Sequence, residues 1–144
     1  RAADSAQSPM FMQLEGLVVD RGVSMAHLEG TLDAFIARYM GRGIPTRLRA
    51  SYFPFVEPGA ELDVGCQICL GKDTSCRVCK GSGWVEVLGC GMVHPVVFEN
   101  VGYDPEEFTG WAFGMGIDRI AMQRYRVPDI RLLYENDTRF LESL

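Results

Sequence analysis

The sequence has no run of about 18 apolar residues, so no membrane-spanning helix is expected. The opening stretch RAADSAQSPM has no apolar core of the kind a secretory leader needs, so no signal peptide is expected. Positive charge is scarce: 14 Lys and Arg stand against 19 Asp and Glu, a formal net charge of −5. That balance argues against a chain that grips nucleic acid on its own through a broad basic face, while leaving room for a part in a larger assembly that does. Long repeats and low-complexity tracts are absent, which excludes solenoids and flexible linkers.

What is present suits one globular domain. The 144 residues are 47% hydrophobic and 23% charged, enough apolar content to build a core and too much for disorder. Four of the five cysteines fall together: Cys66, Cys69, Cys76 and Cys79. A secreted disulfide scaffold spreads its cysteines, whereas two CxxC pairs in a tight cluster fit a metal site in a reducing compartment. The expected localisation is therefore cytoplasmic, with two local disulfides as the competing reading.

The order of elements follows from periodicity. Residues 11–20 (FMQLEGLVVD) read as a strand with Phe11, Gln13 and Glu15 on one face and Met12, Leu14 and Val18 on the other. Ser24 is a candidate N-cap for a helix whose stripe is Met25, Leu28, Leu32, Phe35, Ile36, Tyr39 and Met40, closed by Gly41 or Gly43. Residues 46–55 read as a second strand, on which Phe53 and Phe55 share a face if it stays regular through Pro54. Pro58-Gly59 reads as a turn, residues 61–64 as a short strand and residues 84–90 as a strong one. Pro95 suits the first position of a short helix, and Asp104-Pro105-Glu106-Glu107 reads as another helix start. Residues 110–114 read as a short strand and 116–126 as a helix with Ile117, Ile120, Ala121 and Tyr125 on its apolar side. Strands without regular βαβ alternation predict an α+β fold, an antiparallel sheet flanked by helices. One domain over 1–144 carries a small inserted knuckle at 64–83.

Two segments carry chemistry. Cys66-x2-Cys69-x6-Cys76-x2-Cys79 offers four thiolates, the donor set of a closed structural zinc site with no open catalytic position. The stretch from Cys76 to Gly83 resembles the CxxCxGxG repeat of zinc-binding J-protein chaperones, though only one repeat is complete. Gly114-Met-Gly-Ile-Asp-Arg119 opens a helix straight after a strand, bringing backbone and an arginine close enough for phosphate. Cys90, outside the cluster, reads as a small buried hydrophobe, and His94 as a cap.

Residues 110–122 (GWAFGMGIDRIAM) resemble motif 3 of class II aminoacyl-tRNA synthetases. Residues 8–16 (SPMFMQLEG), 51–58 (SYFPFVEP) and 84–95 (WVEVLGCGMVHP) narrow the likeness to the α-subunit family of bacterial-type phenylalanyl-tRNA synthetases, from about residue 4 to the end. The resemblance implies ATP-dependent activation of phenylalanine to its adenylate, then transfer to tRNA(Phe). It implies a class II catalytic domain, ATP and Mg2+ as cofactors, structural Zn2+ in the knuckle, and a synthetase β subunit as partner.

The resemblance also assigns roles. Phe53 and Phe55 line the phenyl pocket, Ala112 forms its floor, and Gln13 and Glu15 hold the ammonium group. Phe11 stacks on adenine, Gln7 stands near the ATP phosphates, Arg119 holds the γ-phosphate and Glu57 binds magnesium. Glu86 stands near the same site. The family usually has histidine at Gln7 and Met12. Motif 1 and the N-terminal coiled coil fall outside the matched region, so the chain is expected to be the C-terminal part of a catalytic domain, incomplete alone. Two other classes compete: a non-catalytic synthetase-like remnant that binds an amino acid or a partner protein, and a zinc-knuckle interaction protein.

Overall fold

The computed structural model describes residues 5–6 and 12–144; Gln7 and Phe11 lie outside the described residues. Five strands form one antiparallel sheet: β1 (Gln13–Asp20), β2 (Thr46–Phe53), β3 (Val56–Gly65), β4 (Trp84–Val93) and β5 (Thr109–Gly116). Their order is β1-β5-β4-β3-β2. Helices α1 (Met25–Met40), α2 (Pro95–Asn100), α3 (Ile117–Tyr125) and α4 (Thr138–Ser143) and a 3-10 turn (Ile130–Leu133) complete the α+β architecture.

Register decides which face each residue serves, because directly opposed residues point the same way. One row runs Leu14–Met115–Leu88–Leu62–Leu48 across all five strands. From it, Met115, Leu88 and Leu62 are buried in one cluster with Leu28, Leu32 and Ile36 of α1 and Ile120 and Met122 of α3. The α1 stripe thus faces the core as its spacing predicts, and Ser24 caps the helix by accepting from the His27 N–H. His94 caps α2 by accepting from the Val96 N–H at 3.1 Å.

The opposite face carries almost nothing at its centre. The next row is Glu15–Gly114–Gly89–Glu61–Arg49, followed by Leu17–Ala112–Gly91–Gly59–Ser51. In these two rows β5 and β4 carry only hydrogens or a methyl, Glu61 rises from β3, and the other side chains stand on the outer strands. The sheet is a trough.

Four expectations are corrected. Pro58-Gly59 is no turn: the chain reverses at Pro54-Phe55, where Phe53 pairs with Val56, and β3 runs on through a register shift that accommodates a proline. The second strand therefore ends at Phe53. Asp104–Glu107 makes a single turn instead of a helix, because the chain must enter β5 at Thr109. In that turn the Asp104 carboxylate accepts from the Glu106 N–H, and Glu107 pairs with Arg21. On α3, Ile117 and Tyr125 are exposed, while Asp118, Ile120, Met122 and Gln123 are buried. Polar residues take interior places there because each has a partner on a neighbouring segment, described below.

Close approach of β3 and β4 depends on one missing side chain. A Cβ at Gly91 would stand 2.5 Å from the Pro58 carbonyl oxygen and 2.8 Å from Val56 Cβ. Gly91→Ala is expected to cost about 1–3 kcal/mol through overpacking, measured by urea unfolding.

Candidate functional site

A cavity of about 720 Å3 occupies the trough, within the usual range for small-molecule sites. One end is aromatic. The Phe53 and Phe55 rings stack with centroids 5.9 Å apart and planes 28° from parallel. They meet because the turn at Pro54 folds Phe55 back, not because a regular strand puts both on one face. Gly89 makes the room: a Cβ there would stand 3.0 Å from the tip of the Phe53 ring. Ala112, Gly114 and Gly116 of β5 line the wall between, and Gln13 and Glu15 of β1 line the far side.

The other end is charged. Arg119, one turn into α3, donates from Nη1 to the Glu86 carbonyl oxygen at 3.2 Å, and the same nitrogen is 4.0 Å from Glu86 Oε1. Glu61 and Glu86 both line the cavity. Glu57 is exposed on β3 and is not among the lining residues. Burial raises the Glu86 carboxyl above its ordinary range, the Glu61 charge adds to this, and Arg119 and Arg49 oppose it.

Behind these acids stands a buried one that the sequence reading passed over. The Asp63 side chain is 2% exposed and accepts from Arg47 Nε at 2.8 Å, Arg49 Nε at 2.5 Å and Arg49 Nη2 at 2.9 Å. Burial works to raise its pKa, but the two guanidiniums win and hold the carboxyl below its usual range. Arg49 so clamped turns its Nη2 to Glu61 at 3.0 Å and Glu86 at 3.9 Å. Alternation of Arg47, Arg49, Glu61 and Asp63 along two adjacent strands is the signal that could have found this network.

Asp118 also escaped notice. Its Oδ2 accepts from the Met12 N–H at 2.9 Å and its Oδ1 from the Tyr134 hydroxyl at 2.6 Å, while the Ile117 N–H donates to the Met12 carbonyl. Burial and the Asp118 charge push the Tyr134 hydroxyl up to about 12. These bonds fix the start of β1, and so Gln13, against the helix that carries Arg119.

The cysteines lie in the loop between β3 and β4. The Cys66 N–H donates to the Gly83 carbonyl and closes the loop. Gly81 is required within it: its φ is +82°, and a Cβ would stand 2.4 Å from the Thr74 carbonyl oxygen. All four sulfurs lie within 4.8 Å of one another, with Cys66–Cys76 at 4.0 Å and Cys69–Cys79 at 3.6 Å. A tetrahedron with metal–sulfur bonds of about 2.3 Å has edges of about 3.8 Å, so the four thiols fit one ion. They are free, not paired as disulfides. Cys90 is buried on β4 opposite Ala60, as expected of a small hydrophobe.

A family model described as the tRNA synthetases class II core domain (F) matches residues 1–144. The chain belongs to that family. A phenylalanine–tRNA ligase alpha subunit from Sorangium cellulosum (strain So ce56) is 60% identical over 144 residues, all of this chain and 41% of that protein. One from Myxococcus xanthus (strain DK1622) is 57% identical over 143 residues, 99% of this chain and 40% of that protein. One from Dehalococcoides mccartyi (strain ATCC BAA-2100 / JCM 16839 / KCTC 5957 / BAV1) is 60% identical over 142 residues, 99% of this chain and 40% of that protein. The chain thus spans about two fifths of the length of these curated relatives. In this class II core the five-stranded antiparallel sheet is the platform, and the trough on it holds the candidate site. Among the described residues no helix is long and apolar enough to cross a membrane.

The Asp63 clamp has a measurable signature. Asp63→Asn is expected to cost about 1–2 kcal/mol at pH 7, limited because both guanidiniums meet solvent. Since the folded pKa of Asp63 is depressed, its contribution is full above the ordinary 3.8 and fades as pH falls through the lower folded value. Urea unfolding of both proteins should show a gap at pH 7 that closes under acid.

Proposed function

We propose that the chain is the catalytic part of a phenylalanine–tRNA ligase α subunit. In this reading ATP activates phenylalanine to its adenylate, and the aminoacyl group then passes to tRNA(Phe). The observation that carries it is the pairing of a stacked aromatic slot with a charged end in one trough. A phenyl ring packs between Phe53, Phe55 and the small Ala112, and aromatic contacts of this kind add about 0.5–1.5 kcal/mol per pair. Its ammonium is held at Gln13 and Glu15, which supply acceptors and a negative charge. Its carboxylate then faces the α-phosphorus, so the slot acts chiefly by positioning.

Arg119 serves the γ-phosphate end. Phe11 and Gln7 are assigned to adenine and phosphate on the resemblance alone. Magnesium, when bound with ATP, offsets triphosphate charge. The resemblance gives it to Glu57, and Glu61 and Glu86 offer further oxygen ligands in the cavity. The reaction moves through the residues' placement of two substrates, with no general base required. The α subunits named above support a β-subunit partner. With a net charge of −5 on this chain, tRNA affinity is assigned largely to the partner or to parts of the longer relatives that the chain does not span. Free clustered thiols suit a reducing compartment, and we assign the chain to the cytoplasm.

Calorimetric titration with a non-hydrolysable phenylalanyl-adenylate analogue tests the pocket. Binding should prefer the phenylalanyl over the tyrosyl analogue. Phe53→Ala should weaken it at least tenfold, as expected for losing about 1.5–3 kcal/mol of aromatic burial. Ala112→Trp should abolish it by filling the slot. Absence of binding in a folded chain, and in the full-length protein, would favour a synthetase-like remnant instead.

We infer that the four thiolates hold structural zinc. Cobalt substitution should give one ion per chain with intense thiolate-to-metal absorption, and Cys76→Ser should lose the ion and lower the Tm. A metal content of zero in protein purified under reducing conditions would sink the assignment.

A further inference from the structure

The cysteine loop and α3 form a closed ring of bonds. The Cys66 N–H donates to the Gly83 carbonyl at 2.8 Å and joins the loop's entry to its exit. Next to Cys66, the Gln67 N–H donates to Gln123 Oε1 at 2.8 Å. Just past the exit, the Glu86 carbonyl accepts from Arg119 Nη1 at 3.2 Å. Gln123 and Arg119 stand one turn apart on α3, so the ring closes through the helix. Gln67 lies between Cys66 and Cys69, and its Nε2 donates to the Gly65 carbonyl at 3.0 Å, so both its backbone and its side chain are committed.

Gln123 is 1% exposed, so water cannot stand in for the bond it makes to Gln67. Packing between loop and helix is interrupted by a cleft of about 240 Å3, with Val78, Lys80, Trp84 and Met122 in its walls. The Gln67–Gln123 bond therefore holds a large share of their alignment. Residues 66–83 contain no strand or helix. Their shape rests on turn bonds and on whatever holds the four sulfurs, which lie within 4.8 Å of one another. Four thiolates repel unless a cation sits among them, so an ion sets the Cys66–Cys69 turn and with it the aim of the Gln67 N–H.

We propose that Gln123 is a positioning residue that couples metal in the knuckle to nucleotide binding at Arg119. The proposal rests on the ligase and zinc readings above. An ordered Cys66–Cys69 turn presents the Gln67 N–H, that N–H holds Gln123, and α3 keeps Arg119 directed at its end of the trough. Loss of the ion frees the turn and removes a restraint on α3 one turn from Arg119. The phenyl slot at Phe53, Phe55 and Ala112 lies outside the ring and is untouched. Such coupling is reciprocal: the factor by which the ion tightens nucleotide binding is the factor by which nucleotide tightens ion binding.

The test uses the full-length protein and calorimetry of a non-hydrolysable ATP analogue with magnesium. Removing zinc with a zinc-selective chelator should weaken the analogue about three- to tenfold, the range that one hydrogen bond spans, and leave phenylalanine affinity unchanged. In competition with the chelator, the analogue should raise zinc affinity by the same factor, and phenylalanine should not. Gln123→Met keeps the volume but offers no oxygen to the Gln67 N–H. Its zinc-loaded form should bind the analogue as weakly as the stripped parent, and zinc removal should weaken it no further. Nucleotide affinity that ignores zinc overturns the proposal, as does coupling that persists in Gln123→Met. Nucleotide and phenylalanine affinities that fall together on zinc removal signal general loosening and also overturn it. If Gln123→Met does not fold, amide hydrogen exchange of residues 117–125 in the unaltered protein decides: faster exchange without zinc supports the coupling, and unchanged exchange counts against it. Protein that holds no zinc sinks the zinc reading and the proposal with it. Zinc-loaded protein that binds no nucleotide sinks the ligase reading instead, and again the proposal with it.

Discussion

The site depends on two central strands that carry almost no side chains on one face. Gly114, Gly89 and Gly91, with Ala112, leave the middle of the sheet bare while Glu15, Leu17, Glu61 and Arg49 rise at its sides. A five-stranded sheet that covered both faces with ordinary residues would have no such trough. The same bareness lets Phe53 lie across Gly89. The other face bears the cost of holding the strands together: Leu62, Leu88 and Met115 are packed under α1 and α3, and burial there supplies the hydrophobic stabilisation that the trough cannot.

Charge at one end of the trough is organised from behind. Asp63 is almost wholly buried, and a carboxylate so placed is tolerable only with partners. Arg47 and Arg49 satisfy it while keeping one edge in solvent. Arg49 then reaches forward to Glu61 and Glu86, and Glu86 meets Arg119. A chain of alternating charges thus runs from a buried anchor on β3 to the arginine on α3. It offers cationic and anionic groups within a few ångströms, the mixture a nucleotide–metal pair requires.

The cysteine loop is tied into the same assembly. Gln67 and Gln123 connect it to α3, four residues beyond Arg119, and Cys66, Cys76 and Cys79 sit within the main core cluster. A metal holding the four sulfurs would therefore brace the helix that presents Arg119, not only the loop itself.

The α1 stripe, the Ser24 and His94 caps, the α+β class and the CxxC pairs were legible in the sequence because each rests on local spacing or local hydrogen bonding. The family was legible too, from residues 51–58, 84–95 and 110–122. Other features were not. The Pro58 register shift, the single turn at Asp104 and the polar interior of α3 arise from contacts between segments far apart in sequence. Asp118 is buried because Met12 and Tyr134 need its oxygens. Gln123 is buried because the cysteine loop passes over it. The sequence by itself determined a thiolate cluster and a glycine-led helix start carrying Arg119, since residue type and short-range spacing carry that information, whereas a phenyl slot at Phe53 and Phe55 was implied only by the family resemblance. Only the tertiary structure decided that Glu61 joins Glu86 in lining the cavity and that Glu57 does not, because strand register selects the face and register is a long-range property.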